Sequence, residues 1–176
     1  EKNSTVINDA KKNLKLRLLD AQTQEKKKKE TRETTIADML GENKLDEWHA
    51  YWLAEQLIWL QRIGLSNEKL KVREHMKTEL SHYSSATFDI DYEFPFGSKE
   101  IAGNANRGQY DLKQHMKESK EKLDYFDEEK KERIVPRVIE PTFGVERVFM
   151  AILCEAYNDD KERGNIVLKI DKKLAP

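Results

Sequence analysis

The sequence predicts an α+β domain, a mostly antiparallel sheet flanked by helices, on two observations. Residues 87–93 alternate, with Phe88, Ile90 and Tyr92 on one side and Asp89, Asp91 and Glu93 on the other, which is the period of a half-buried strand. Two further segments, opening at Asp46 and Gly144, repeat apolar residues at helical spacing.

Taken in order, the chain starts with a stretch unlike the rest. Val6, Ile7, Ala10, Leu14, Leu18 and Ala21 recur at steps of three and four. This predicts one long helix or a helical hairpin over residues 1–45, heavily solvated and too poor in apolar residues for a core of its own. Lysines 26–29 sit in it beside Glu25, Glu30 and Glu33. They can touch a nucleic-acid backbone, although a mixed-charge run also describes a solvated face.

From Asp46 onward, residues 46–176 read as a second unit. Asp46 can cap a helix with Trp48, Trp52, Trp59 and Ile63 on one face, expected to pack on a sheet or another helix, and Gly64 can stop it. Residues 71–73 suit a brief strand and residues 74–83 a short helix. After strand 87–93, Pro95 to Ser98 breaks the pattern and residues 99–105 resume as an antiparallel partner. A helix over 109–119, a turn or hairpin over 123–133, and a strand over 134–139 with Pro136 in it come next. A helix over 144–157, a charged loop over 158–165 and a strand over 166–170 complete the reading.

Composition narrows the classes. Among 176 residues, Lys plus Arg (32) nearly cancel Asp plus Glu (33), so contact with nucleic acid must come from local patches rather than a global field. The single Cys154 excludes an internal disulfide and a cysteine-based zinc framework, no zinc is expected, and a cytoplasmic setting fits. No apolar run approaches the roughly 20 residues of a membrane helix. His49, His75, His82 and His115 lack metal spacing. The chain lacks an initiator Met and ends at Leu174, Ala175 and Pro176, which reads as a piece of a longer protein.

Two constellations carry chemistry. In residues 138–147 (VIEPTFGVER) an apolar strand ends on Glu140, Pro141 and Thr142, and Gly144 turns the chain into a helix presenting Arg147. Glu140 can hold an ammonium, Thr142 can donate to a carboxylate, and Arg147 can grip a phosphate with its planar fork. On spacing alone a solvated helix start capped by Thr142 describes the segment better. In residues 94–107 (FPFGSKEIAGNANR), Glu100 can meet a Mg²⁺ ion carried by a nucleotide, with Asn104 and Asn106 expected on the same strand face. A hairpin with its polar side in water is the plainer alternative.

Together these motifs resemble the class II aminoacyl-tRNA synthetases, specifically glycyl-tRNA synthetase of the bacterial homodimeric type. Residues 138–147 resemble the family's motif 3. Residues 46–52 (DEWHAYW), 79–83 (ELSHY), 89–97 (DIDYEFPFG), 103–107 (GNANR) and 110–112 (YDL) resemble the same enzyme in the same order. The resemblance spans about residues 46–176 and implies a later part of the catalytic domain, with motifs 1 and 2 absent and residues 1–45 as a variable insertion. It implies a ligase that activates glycine with ATP to glycyl-adenylate and transfers glycine to the 3′ end of tRNA(Gly), acting as a homodimer. Carried over by position, Glu100 and Arg147 are the catalytic residues, Glu100, Ile101 and Arg147 bind ATP, and Glu140, Pro141 and Thr142 line the glycine pocket. Glu100 is also the residue expected to meet Mg²⁺. Thr142 stands where the family usually has Ser, and Gly108 where it commonly has Thr or Ser. With half a site the piece alone is expected to be inactive. The alternative is a synthetase-like module that binds tRNA or a protein without catalysis.

Overall fold

The computed structural model describes residues 6–80 and 84–174. Residues 81–83, which include His82 and complete the ELSHY motif, lie outside the described residues, as do Ala175 and Pro176. The architecture is mixed, with helices against a six-stranded sheet. The elements before residue 45 are α1 (Asp9–Lys12), β1 (Lys15–Leu19), α2 (Ala21–Glu25), β2 (Arg32–Thr35) and α3 (Ile36–Gly41). Then follow α4 (Glu47–Arg62), β3 (Leu70–Glu74), β4 (Ala86–Phe94), β5 (Gly97–Gly108), α5 (Tyr110–Ser119), β6 (Tyr125–Asp127) and β7 (Glu132–Ile134). The last are β8 (Val138–Phe143), α6 (Val145–Ala156), β9 (Tyr157–Asp160) and β10 (Asn165–Leu168).

The main sheet runs β2-β1-β3-β4-β5-β8. Every neighbour pair is antiparallel except β1 with β3. The hairpins β6–β7 and β9–β10 stand apart from it.

The helical expectation for the first 45 residues is corrected over those described. Leu16 and Leu18 point the same way from β1 into the core, while Arg17 between them faces outward, so the real period is two. Ile7, Ile36 and Met39 join them at 0% exposure, within the same core as the later residues. Short helices do punctuate the segment, each started by a side chain: Asn8 on α1, Asp20 on α2 and Thr35 on α3.

Helix α4 begins where expected, with Asp46 accepting from the His49 amide at 2.9 Å. Its buried face is a different one. Leu53, Leu57 and Leu60 lie in the core with Ala50 and Ala54, whereas Trp48, Trp52 and Trp59 are 56%, 39% and 45% exposed. Tryptophans at i, i+4 and i+11 share a stripe, but the leucine and alanine stripe beside it is the narrower one and lets the helix approach the sheet closely. Two more expectations need correction. Residues 75–80 form no helix, because β3 runs to Glu74 and the chain then turns. The strand expected over 134–139 divides, β7 ending at Ile134 and β8 starting at Val138, with Pro136 in the gap where its missing N–H costs no ladder bond. The segment read as a loop and single strand after α6 is the hairpin β9–β10.

Candidate active site

Strands β3, β4, β5 and β8 present two chemically different faces. Phe88, Ile90 and Asn104 face α4, and Gln56 on that helix meets them with an amide. Gln56 Nε2 donates to the carbonyls of Gly103 and Thr142, both at 3.0 Å, and its Oε1 accepts from Asn104 Nδ2 at 2.8 Å. His49 Nε2 lies 3.1 Å from the Asn104 carbonyl. A carbonyl only accepts, so that nitrogen carries the proton. Burial, against the pull of the Asn104 carbonyl and Asp46, lowers the His49 pKa and keeps the ring neutral.

The opposite face carries the charges. Asp89 and Asp91, expected on the watery side of β4, are nearly buried there. Asp89 pairs with Arg73 and with His75 Nε2 at 2.7 Å, and Asp91 pairs with Lys71 at 3.3 Å. Glu100 lies opposite Asp91 across the β4–β5 ladder. Partial burial first, then the charges of Asp89 and Asp91, push the Glu100 carboxyl above its ordinary range, against the pull of Arg147 and Arg73.

A bulge in β5 decides which residues accompany Glu100. Asp91 pairs with Glu100 but Ile90 with Ala102, so Ile101 is the extra residue. Beyond it the alternation reverses. Asn104 and Asn106, expected beside Glu100, therefore point to α4, where Asn106 Nδ2 donates to Asp46 at 3.0 Å. Gly103 occupies the open face in their place. A Cβ there would meet Thr142 Oγ1 at 3.1 Å, a tight contact, and Asp89 Oδ1 at 3.8 Å, an ordinary one, so the glycine lets Thr142 lie close to the strand.

The motif around residue 140 divides in the same way. Glu140 and Thr142 alternate onto the open face of β8 opposite Ala105 and Gly103. Pro141 turns the other way and lines a cavity of about 240 Å³ with Trp52, Gln56, Trp59 and Phe143. The Gly144 amide donates to the Ile101 carbonyl at 2.9 Å, which aims the start of α6 at the bulge. Arg147 Nη1 then donates to the Glu100 carbonyl at 2.8 Å. Glu100, Glu140, Thr142 and Arg147 thus gather around one open face, while Ile101 contributes main chain and Pro141 packs behind.

Sequence reasoning missed Arg107. It donates to both oxygens of Asp111 and, through Nη1 at 2.5 Å, to Glu140 Oε2. These bonds raise the Arg107 pKa, and Arg107 holds Asp111 below the usual carboxylate range. The i, i+4 spacing of Arg107 and Asp111 across the start of α5 was the available signal. Arg73 and Lys71, spaced two apart opposite Asp89 and Asp91, were legible only once β3 and β4 were paired.

No family model matches the chain. Curated relatives do. The glycine–tRNA ligase of Lachnoclostridium phytofermentans is 47% identical over 133 residues, 74% of this chain and 29% of that protein. That of Mycoplasmopsis synoviae is 49% identical over 121 residues, 67% of this chain and 27% of that protein. The chain is a relative of a segment of bacterial glycine–tRNA ligase. The Lysinibacillus sphaericus glycine–tRNA ligase agrees, at 43% identity over 133 residues. The chain spans less than a third of the length of these ligases, at 29%, 27% and 29%.

Proposed function

We propose that the chain is part of the class II catalytic domain of a glycine–tRNA ligase, and that its open sheet face forms half of the site where glycine is activated. The glycine carboxylate attacks the α-phosphorus of ATP, pyrophosphate leaves, and a 3′-terminal ribose hydroxyl of tRNA(Gly) then takes the glycyl group from the adenylate as AMP departs. In-line displacement of this kind depends on positioning and charge neutralisation more than on covalent chemistry.

The observation that carries this reading is the convergence of Glu100, Glu140, Thr142 and Arg147 on one face, in a chain similar to these ligases. Arg147, held by the Glu100 carbonyl, turns its guanidinium toward the space in front of β5. Glu140, set by Arg107, offers a carboxylate to the glycine ammonium. Thr142 Oγ1 lies close against the bare Cα of Gly103, and crowding of this kind beside Glu140 would select glycine by steric exclusion of any side chain.

Glu100 fits a Mg²⁺ ion that arrives with ATP. Its carboxyl stands near Asp89 and Asp91, and the negative charge of neighbouring carboxylates would attract a divalent cation carried by the nucleotide. Among the described residues no group of three His, Cys, Asp or Glu side chains has the geometry of a protein-only metal site, so the ion would keep its water and phosphate ligands. Homodimerisation and a cytoplasmic location belong to the same proposal.

The test is ATP–pyrophosphate exchange by a full-length protein carrying this segment, with glycine, alanine and serine supplied separately. Exchange with glycine alone is expected. Exchange independent of amino acid, or led by alanine, overturns the reading.

A further inference from the structure

The six-stranded sheet carries a second basic feature on its open face, outside the residues assigned above. Lysines 27–29 follow α2, whose end stops the helix firmly. The Lys28 amide donates to Thr23 O at 3.1 Å and the Lys27 amide to Gln24 O at 2.8 Å, with Lys27 in the left-handed region at φ 57°. Gln24 fixes this turn to the sheet by donating to the Glu74 carbonyl of β3 at 2.7 Å. The main chain that carries the lysines is therefore anchored beside the sheet. The three lysines line a groove of about 540 Å³ together with Lys71, Arg73 and Asp91.

The charge balance in that groove is lopsided. Lys71 is paired with Asp91, and Arg73 with Asp89 and with Glu79 at 3.4 Å. Lys27, Lys28 and Lys29 form no ion pair among the described residues. Three cations without an ion-pair partner among the described residues thus stand together, with Glu25 and Glu30 flanking the run, on a chain whose net charge is -1. The groove also neighbours the candidate site. Arg73 and Asp91, which line it, are two of the charges that act on Glu100.

We propose that this groove binds the phosphodiester backbone of an RNA strand on its way to the activated glycine, with Lys27, Lys28 and Lys29 each neutralising a phosphate. The inference rests on the glycine–tRNA ligase reading for the identity of the RNA. Flexible ammonium groups suit the task because they meet phosphates as point charges at any sequence and leave base recognition to other surfaces. The three lysines are exposed, so they meet phosphates without being buried first.

The experiment measures binding of fluorescein-labelled tRNA(Gly) transcript to this chain by anisotropy, across a series of salt concentrations. The variant is K27Q/K28Q/K29Q, and K169Q/K172Q/K173Q removes the same charge from the exposed C-terminal end. Three lost contacts to a single strand lower the slope of log affinity against log salt by about 2. That decrease in the first triple, with the second near the parent slope, supports the groove. Equal decreases in both variants, an unchanged slope, or no binding by the parent chain at 50 mM salt overturns it. Inorganic tripolyphosphate is the second arm. A first triple that loses tripolyphosphate binding but keeps RNA binding assigns the groove to a nucleotide's phosphates and also overturns the proposal. The two readings fail separately. Glycine-dependent exchange without a slope change removes only the RNA groove, whereas a slope change in a protein with no exchange removes only the ligase reading.

Discussion

The two faces of the β3–β4–β5–β8 sheet are made by the same strands and obey opposite rules. Against α4 the buried polar groups are few and mostly amides, with Gln56 bonded to Asn104, and Asn106 donating to the Asp46 carboxylate at the helix start. On the open face the side chains are charged, paired in partial register, and in Glu100 held at an unfavourable proton affinity. Apolar packing is concentrated on the first face, and the residues proposed to meet substrate lie on the second. The difference follows from solvation. Amides can be buried at modest cost when bonded, but charges need either water or a ligand.

Predictions that separate the faces should therefore separate stability from activity. The largest effect belongs to the covered face. Leu53→Ala, at a fully buried position, should cost about 2–5 kcal/mol by denaturant titration, with an unchanged m value. A loss below 1 kcal/mol would mean that α4 is not packed as described. On the open face, Arg147→Ala in a full-length protein should lower glycine-dependent exchange by about a hundredfold or more, the scale of losing one preorganised charge-stabilising group. Its melting temperature should hardly move, since Arg147 is exposed and donates to a main-chain carbonyl.

Two smaller effects are read in pH. His49 is held neutral by burial, so its folded pKa lies below the ordinary value of about 6.5. Its contribution is fully present above that value and is lost as pH falls toward the folded pKa, because the unfolded chain takes the proton first. His49→Gln should flatten that part of a stability–pH curve, and an unaltered curve would locate the dependence elsewhere. Glu100 has the opposite sign. Its raised pKa favours the folded state at low pH, and that advantage disappears as pH rises through the folded value. Glu100→Gln should be the more stable form only above the carboxylate range. Equal stability at all pH values would mean that neither burial nor the charges of Asp89 and Asp91 act on it.

How much of this was legible in the sequence depended on whether a residue's neighbours were local. Asp46 as a cap, the alternation of Phe88, Ile90 and Tyr92, and the turn at Gly144 depend on spacing along the chain, and the structure has them as read. The tryptophans of α4 misled because size and hydrophobicity say nothing about which stripe fits a sheet most closely. Residues 1–45 misled because Leu14 and Leu18 are four apart, while the buried period, Leu16 to Leu18, is two. For the candidate site, Glu100, Glu140, Thr142 and Arg147 came from motifs. Asn104 and Asn106 fell on the wrong face because a single bulged residue, Ile101, reverses the count, and nothing local in the sequence marks it. Arg107, Asp89 and Arg73 acquire their partners across strands or from another element, so their roles appear only after pairing.

Gln56 gives this division of labour a mechanical consequence. One planar amide joins a helix to the carbonyls of Gly103 and Thr142, residues paired across β5 and β8 whose other sides meet closely on the far face of the sheet. Its two donor hydrogens are a fixed distance apart, so it acts as a gauge block between β5 and β8. Any drift of one strand relative to the other has to break one of its bonds. The approach of Thr142 Oγ1 to the Cα of Gly103 is thus held from behind, by a helix side chain on the covered face.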